Sequence, residues 1–260
     1  MAMSPFTAYV YFREGQNAGH IAQAYRPYIY HALTDTSSYH VVAIDYRGFG
    51  HSTGVPSEEG LLTDASTLVE WAVKVAGIPS SRIVLLGHSL GTAVVSGVAE
   101  RYALKGVEFA GIVLVAGFGD LVSMLTGYRI GGIIPILGPF ASSSTFLRIL
   151  DSLVTDKWHS ANRLANLVRH TKNRLRLNLV HARDDRDIPW TEDNKLFRAA
   201  TNETAGTGTL DDGEFAAWKE QRTVHKGAGA FVTTWQSERG HDPIVASAPV
   251  SLAIMRSFEL

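Results

Sequence analysis

Residues 82–104, RIVLLGHSLGTAVVSGVAERYAL, constrain the fold more than any other stretch of the chain. After Arg82, residues 83–87 form a short, continuously apolar run of five, as expected of a strand covered on both faces, and residues 92–104 carry helical spacing without a proline. Gly-His-Ser-Leu-Gly stands between them, so the chain passes from buried strand to helix within a few residues. So tight a turn needs glycine where side chains would collide, at Gly87 and Gly91. It exposes the hydroxyl of Ser89 and offers the first N–H groups of the helix, with its positive dipole end, to an anion nearby. Ser89 therefore reads as a nucleophile.

The rest of the chain repeats this alternation. Strands are predicted over 8–13, 40–45, 82–87, 111–116, 175–181 and 229–235, and helices over 58–76, 92–104, 161–169, 192–200 and 243–258. Such an order predicts a mostly parallel sheet with helices on both faces, in one domain spanning residues 1–260. Two stretches depart from the rhythm. Residues 117–160 make a long excursion rich in Gly, Pro and Ser, read as a flap or lid. Residues 201–228 are polar and predict a surface loop with one short helix around Glu214–Gln221.

Gly-x-Ser-x-Gly occurs a second time, as GHSTG at residues 50–54. Gly54, Val55 and Pro56 prevent an immediate helix there, so Ser52 belongs to a loop. The next helix is expected to begin at a Ser57 cap with Glu58 and Glu59 in its first turn. The glycines at 48, 50 and 54 distantly resemble a dinucleotide loop, but the spacing is wrong and no helix starts there.

A serine nucleophile needs a base, and the base needs an acid to orient it; in a sheet of this kind the chain order is Ser, Asp/Glu, His. RLNLVHARDDRDIPW supplies Asp184, Asp185 and Asp187 directly after a strand. Asp185 is favoured because it opens Asp-x-x-Ile-Pro, whose proline stiffens the turn. Asp120, after the preceding strand, is the rival. Of the ten histidines, His241 lies in the loop that follows the last strand and returns to the carboxyl ends of the sheet, where ligands bind. His40, His170, His181 and His225 are set aside by position, and His88 is read as pointing elsewhere on the turn.

Composition removes other classes. Lys+Arg (24) and Asp+Glu (25) nearly cancel and no basic block stands out, so a nucleic-acid partner has no electrostatic footprint. With no Cys there are no disulfides, thiolate metal sites or cysteine nucleophiles. Neither a signal peptide nor a membrane span is expected: residues 130–147 are uncharged, but their prolines and glycines break an apolar helix. The chain reads as soluble, needing neither metal nor cofactor.

These residues carry a resemblance. GQNAGH, YHVVAIDYRGFGHSTGVPSEEGL, VLLGHSLGT, LVHARDDRDIPW and ERGHDP punctuate almost the whole chain in the order of the α/β-hydrolase-fold serine hydrolases. They are most similar to the membrane-associated lysophospholipid and monoacylglycerol lipase group. The resemblance implies the α/β-hydrolase fold, Ser89, Asp185 and His241 as a triad, and the Leu90 N–H as one oxyanion donor. Family members carry a His-Gly-Asn-Ala-Gly-like loop for the second donor. This chain instead has YFREGQNAGH, with Arg13 and Glu14 where the histidine is expected and one extra residue, so either Gln16 or Asn17 takes that position. The chain also begins at about the third strand of the usual fold, an expectation of missing amino-terminal strands, and longer members of the group are associated with membranes.

The expected activity is hydrolysis of a small-molecule carboxylic ester through an acyl-enzyme. The apolar flap, with Ile133, Ile134, Ile136, Leu137 and Phe140, would line the site and favour lipid-like or medium-chain acyl groups; it also suits contact with a membrane surface. Thioester or amide hydrolysis uses the same machinery, and a non-catalytic binding protein on this fold is the alternative from another class.

Overall fold

The computed structural model describes residues 7–13, 20–22, 26–35, 39–127, 129–130, 134–135, 143–202, 219–224 and 230–258. Hydrophobic alternation sets the layering. In β3 (Ile83–His88) every residue is buried. Ile83 and Leu85 join one apolar cluster and Val84 and Leu86 the other, as a strand with both faces covered requires. β4 (Gly111–Val115) divides likewise, Ile112 and Leu114 to one side, Val113 and Val115 to the other.

Around this centre run β1 (Thr7–Arg13), β2 (Tyr39–Ala43), β7 (Leu175–Ala182), β8 (Lys219–Val224) and β9 (Ala230–Ser237), in the order β2-β1-β3-β4-β7-β9-β8. All neighbours are parallel except β8, which runs antiparallel to β9. One face is covered by α2 (Glu58–Lys74), α3 (Leu90–Ala103), α6 (Ser160–His170) and α7 (Thr191–Asn202), the other by α1 (Arg26–Thr34) and α8 (Ala248–Arg256). Because parallel crossovers return each strand in the same direction, the carboxyl ends of β3, β7 and β9 open on one side, where a ligand site forms.

Several local expectations meet the structure closely. Ser57 caps α2, its side chain accepting the Gly60 N–H at 3.2 Å, with Glu58 and Glu59 in the first turn. Others need correction. Of the helix expected around Glu214–Gln221, residues 214–218 lie outside the described residues, and 219–221 belong instead to β8, whose charged sequence KEQRTV suits an edge strand. The final helix is divided by Ser247, a short 3₁₀ turn over Pro243–Ala246 preceding α8. The excursion between β4 and β7 holds α4 (Leu121–Gly127), a small antiparallel hairpin of β5 (Arg129–Ile130) and β6 (Ile134–Pro135), and α5 (Ser144–Leu153). Its far end is fastened to α2: the Trp158 N–H donates to Glu58 Oε2 at 3.0 Å, and Arg163 pairs with the other oxygen of Glu58. Among the described residues, no helix is long and apolar enough to cross a membrane.

Candidate active site

The turn from β3 into α3 holds Ser89 at φ 55°, ψ −127°, in the left-handed half of backbone space that a non-glycine residue enters only at a cost. The surroundings enforce it. A Cβ on Gly87 would lie 2.5 Å from the Gly91 carbonyl oxygen, so strand and helix approach too closely for a side chain. The Ser89 N–H donates to Val115 O at 2.9 Å, and Ser89 O accepts both the Thr92 N–H (2.9 Å) and the Thr92 hydroxyl (2.6 Å). Leu90 is the first residue of α3, and N–H groups of a first helical turn have no acceptor within the helix.

Two further loops, after β7 and after β9, complete the arrangement at this hydroxyl. His241 Nε2 lies 3.1 Å from Ser89 Oγ, and His241 Nδ1 lies 2.7 Å from Asp185 Oδ2. An imidazole bonded to a hydroxyl on one side and a carboxylate on the other can take the hydroxyl proton and keep the resulting charge paired. Asp185 is itself fixed: Oδ1 accepts the N–H groups of Asp187 and Ile188, each at 2.9 Å. Burial by itself would raise the Asp185 carboxyl, but the hydrogen bonds and charges of His181 and His241 outweigh it and hold the group well below the usual carboxylate range. It is therefore ionised at neutral pH.

The remaining expectations sort by position. Asp120 Oδ1 accepts the Ser123 N–H at 2.7 Å, capping the first turn of α4. Asp184 Oδ1 accepts the Gly240 N–H at 2.8 Å. Ser52 donates to the Asp45 carbonyl at 2.7 Å within its own loop. Gln16, Asn17, Ile133, Ile136, Leu137 and Phe140 lie outside the described residues, and of Ile134 only the backbone, in β6, is described.

Two histidines set aside by position stand against the site. His88 does not point away: its Nε2 lies 2.8 Å from the His241 carbonyl, and the two rings have centroids 4.8 Å apart. His181, fully buried next to the end of β7, places Nε2 3.0 Å from Ile188 O and 3.4 Å from Asp185 Oδ2, closing the turn that carries Asp185. Burial alone would lower the pKa of His181, yet the Asp185 hydrogen bond and the charges of Asp193 and Asp185 raise it overall. Asp193, buried beyond it, accepts the Thr234 hydroxyl at 2.6 Å and is raised by its burial. A general signal was available for both histidines. A ring buried at or next to the carboxyl end of a strand must find a polar partner, and the partners offered here are the site loops.

Among the described residues, two groups bring ligand atoms within 4.8 Å of one another: His88, His241 and Asp242, and Asp185, Asp187 and His241. Both include His241, whose two nitrogens already face Ser89 and Asp185, so a cation there would displace those hydrogen bonds.

Comparison with known proteins follows the same lines. The model of the alpha/beta hydrolase family matches residues 17–256. Protein ABHD12B of Homo sapiens is 36% identical over 187 residues, covering 72% of this chain and 48% of that protein. Lysophosphatidylserine lipase ABHD12 of Danio rerio is 28% identical over 194 residues, 74% of this chain and 47% of the relative. The chain thus spans about half the length of the curated relatives it matches. A crystal structure of an alpha-beta hydrolase from Vibrio vulnificus superposes with a TM-score of 0.63 at 17% identity, over 96% of this chain and 73% of that one, a likeness of fold.

Proposed function

We propose that this chain, which belongs to the alpha/beta hydrolase family, hydrolyses carboxylic esters with lipid-like or medium-chain acyl groups. The observation that carries the reading is the hydrogen-bonded line from Ser89 Oγ through His241 to Asp185, mounted on a strained turn at a helix start. Ser89 attacks the acyl carbon as His241 Nε2 takes its proton. Asp185 holds the imidazole with its hydrogen on Nδ1 and pairs with the imidazolium. Collapse of the tetrahedral intermediate returns the proton to the leaving alkoxide. Water, deprotonated by the same imidazole, then releases the acid and restores the serine.

The developing oxyanion would take the Leu90 N–H at the start of α3. A second N–H would come from Gln16 or Asn17. In support of that placement, Arg13 at the end of β1 stands opposite His88 in the sheet, so the chain leaving β1 departs beside the nucleophile turn. Residues 117–160 would act as a lid on the single domain, with Ile133, Ile134, Ile136, Leu137 and Phe140 against the acyl chain. A relative named for lysophosphatidylserine lipase activity supports a lipid-like ester substrate.

A fluorophosphonate probe tests this directly. The wild-type protein is expected to be labelled and to turn over a p-nitrophenyl ester, and Ser89→Ala to do neither. Equal labelling of a folded Ser89→Ala variant would move the nucleophile elsewhere, and no labelling of wild type would favour a non-catalytic binding role.

A further inference from the structure

We infer that His88 and Asp184 are positioning residues that grip the backbone around His241, one at the His241 carbonyl and the other at the Gly240 N–H, each standing next in sequence to another member of the catalytic line. The inference rests on His241 being the base. A base must hold its proton-accepting atom within a fraction of an ångström of its target, since a misplacement of about 1 Å can cost on the order of a hundredfold in rate. Yet His241 sits in a bend between β9 and a short 3₁₀ turn, just after the exposed Glu238 and Arg239 and after Gly240, which takes φ +64°. Side-chain packing of its predecessors does not hold such a bend in place.

Two hydrogen bonds do. On the amino-terminal side, the Gly240 N–H donates to Asp184 Oδ1 at 2.8 Å. On the other, the His241 carbonyl accepts from His88 Nε2 at 2.8 Å. A carbonyl oxygen only accepts, so His88 carries its hydrogen on Nε2. His88 is fully buried and ends β3, one residue before Ser89; Asp184 stands one residue before Asp185. The strand end that presents the nucleophile therefore also fixes the base's carbonyl, and the turn that presents the acid fixes the Gly240 N–H just before the base. Any small movement of either support carries the base with it, so the spacing of the line is conserved through fluctuations of the sheet. The His88 bond is part-buried, from a fully buried ring, and should dominate; the Asp184 bond is exposed and should contribute less.

The test uses His88→Leu, which keeps bulk without a donor, and His88→Gln, whose amide N–H stands about where Nε2 was. Esterase kinetics on a short p-nitrophenyl ester are read together with the low-field proton resonance of the His241–Asp185 hydrogen bond. His88→Leu is expected to lower kcat on the order of tenfold to a hundredfold with KM changed by less than about threefold, and to broaden that resonance. His88→Gln is expected to restore most of both. A folded His88→Leu with kcat and resonance unchanged, or a Gln variant no better than Leu, overturns the inference. Asp184→Ala, at an exposed position, keeps the question open to refutation if the core variant does not fold. It should lower kcat by about threefold, and Asp184→Asn, whose carbonyl still accepts, should not; equal activity in both variants counts against the grip. Because the resonance is read without substrate, a wild-type protein that hydrolyses nothing would sink the hydrolase reading, while the resonance would still decide on the grip.

Discussion

His241 Nδ1 and Asp185 Oδ2 are 2.7 Å apart although the two residues are 56 positions apart in the chain. The parallel register of β7 with β9 produces the encounter: Ala182 stands opposite Ser237, so the loops leaving both strands start side by side. Replacing the carboxylate by an amide would favour the wrong imidazole tautomer. Asp185→Asn is expected to lower kcat by on the order of 10³–10⁴. Asp120→Asn should change it little, because asparagine caps a helix about as well as aspartate does. Steady-state kinetics on one short ester compare them. If Asp120→Asn were the more damaging, the acid would belong to the β4 side of the crevice.

The turn that carries Ser89 is predicted to tolerate no side chain at Gly87. The atoms a Cβ would meet are backbone, the Gly91 carbonyl oxygen at 2.5 Å and carbon at 2.7 Å, and backbone cannot rotate away. Gly87→Ala should destabilise by about 1–3 kcal/mol and displace Ser89. Thermal unfolding and fluorophosphonate labelling measure the two effects, and an unchanged Tm would show that α3 shifts freely along the strand.

The buried acid and histidine give stability opposite pH limbs. Asp185 is held below its ordinary 3.8, so its contribution is complete above that pH and is lost as pH falls through the lower folded value. His181 is held above its ordinary 6.5, so its contribution is complete below 6.5 and fades as pH rises through the folded value. Denaturant unfolding of wild type and His181→Gln should therefore show a wider stability gap at pH 6 than at pH 9. The gap between wild type and Asp185→Asn should narrow below pH 4. A His181 gap that widens toward alkaline pH would mean that the ring is held neutral.

What the sequence made legible follows from where its physics is local. The continuous apolar runs read as strands covered on both faces, and the packing of Ile83 and Leu85 opposite Val84 and Leu86 is the reason. Ser57 could be read as a cap because the bond it makes spans three residues. Less was legible where burial is one-sided or partners are distant. α5 is amphipathic but adjoins a Gly/Pro/Ser-rich stretch, and β8 is polar because it is an edge. The partner of His88 lies 153 residues away, beyond any spacing rule. Ser89, Asp185 and His241 were approachable because strand-end position narrows the choice before any contact is known.

The lid reading predicts that acyl-chain preference is set between α4 and α5. The excursion leaves the sheet after β4, and Lys157 O, at its far end, accepts the Leu121 N–H at 3.0 Å, so its two ends meet. A segment closed at its base and rich in isoleucine and leucine should cover apolar surface rather than face water. Ile134→Asn with Leu137→Asn is expected to move preference from longer toward shorter p-nitrophenyl esters. An unchanged chain-length profile in a folded variant would take the lid away from the acyl chain.

The segment after β1 predicts a slow enzyme that can be made faster. Two donors are needed about 3 Å from the developing charge, and losing one typically costs 10²–10³ in kcat. The Leu90 N–H is fixed by the start of α3, whereas the second donor depends on REGQN, residues 13–17, where Arg13, Glu14 and an added residue stand in place of the expected His-Gly. A carboxylate at Glu14 would also oppose negative charge on the reacting oxygen. A fluorophosphonate demands less stabilisation than an ester, so labelling of Ser89 should be efficient while ester turnover is weak. Rebuilding residues 13–16 toward His-Gly should then raise kcat on a short ester by at least about tenfold, roughly 1.4 kcal/mol of barrier. The decisive measurement is kcat for the two proteins on the same ester. Brisk turnover by the unaltered chain, with no gain on rebuilding, would show that REGQN already delivers a second donor, and that the added residue re-aims the loop rather than spoiling it.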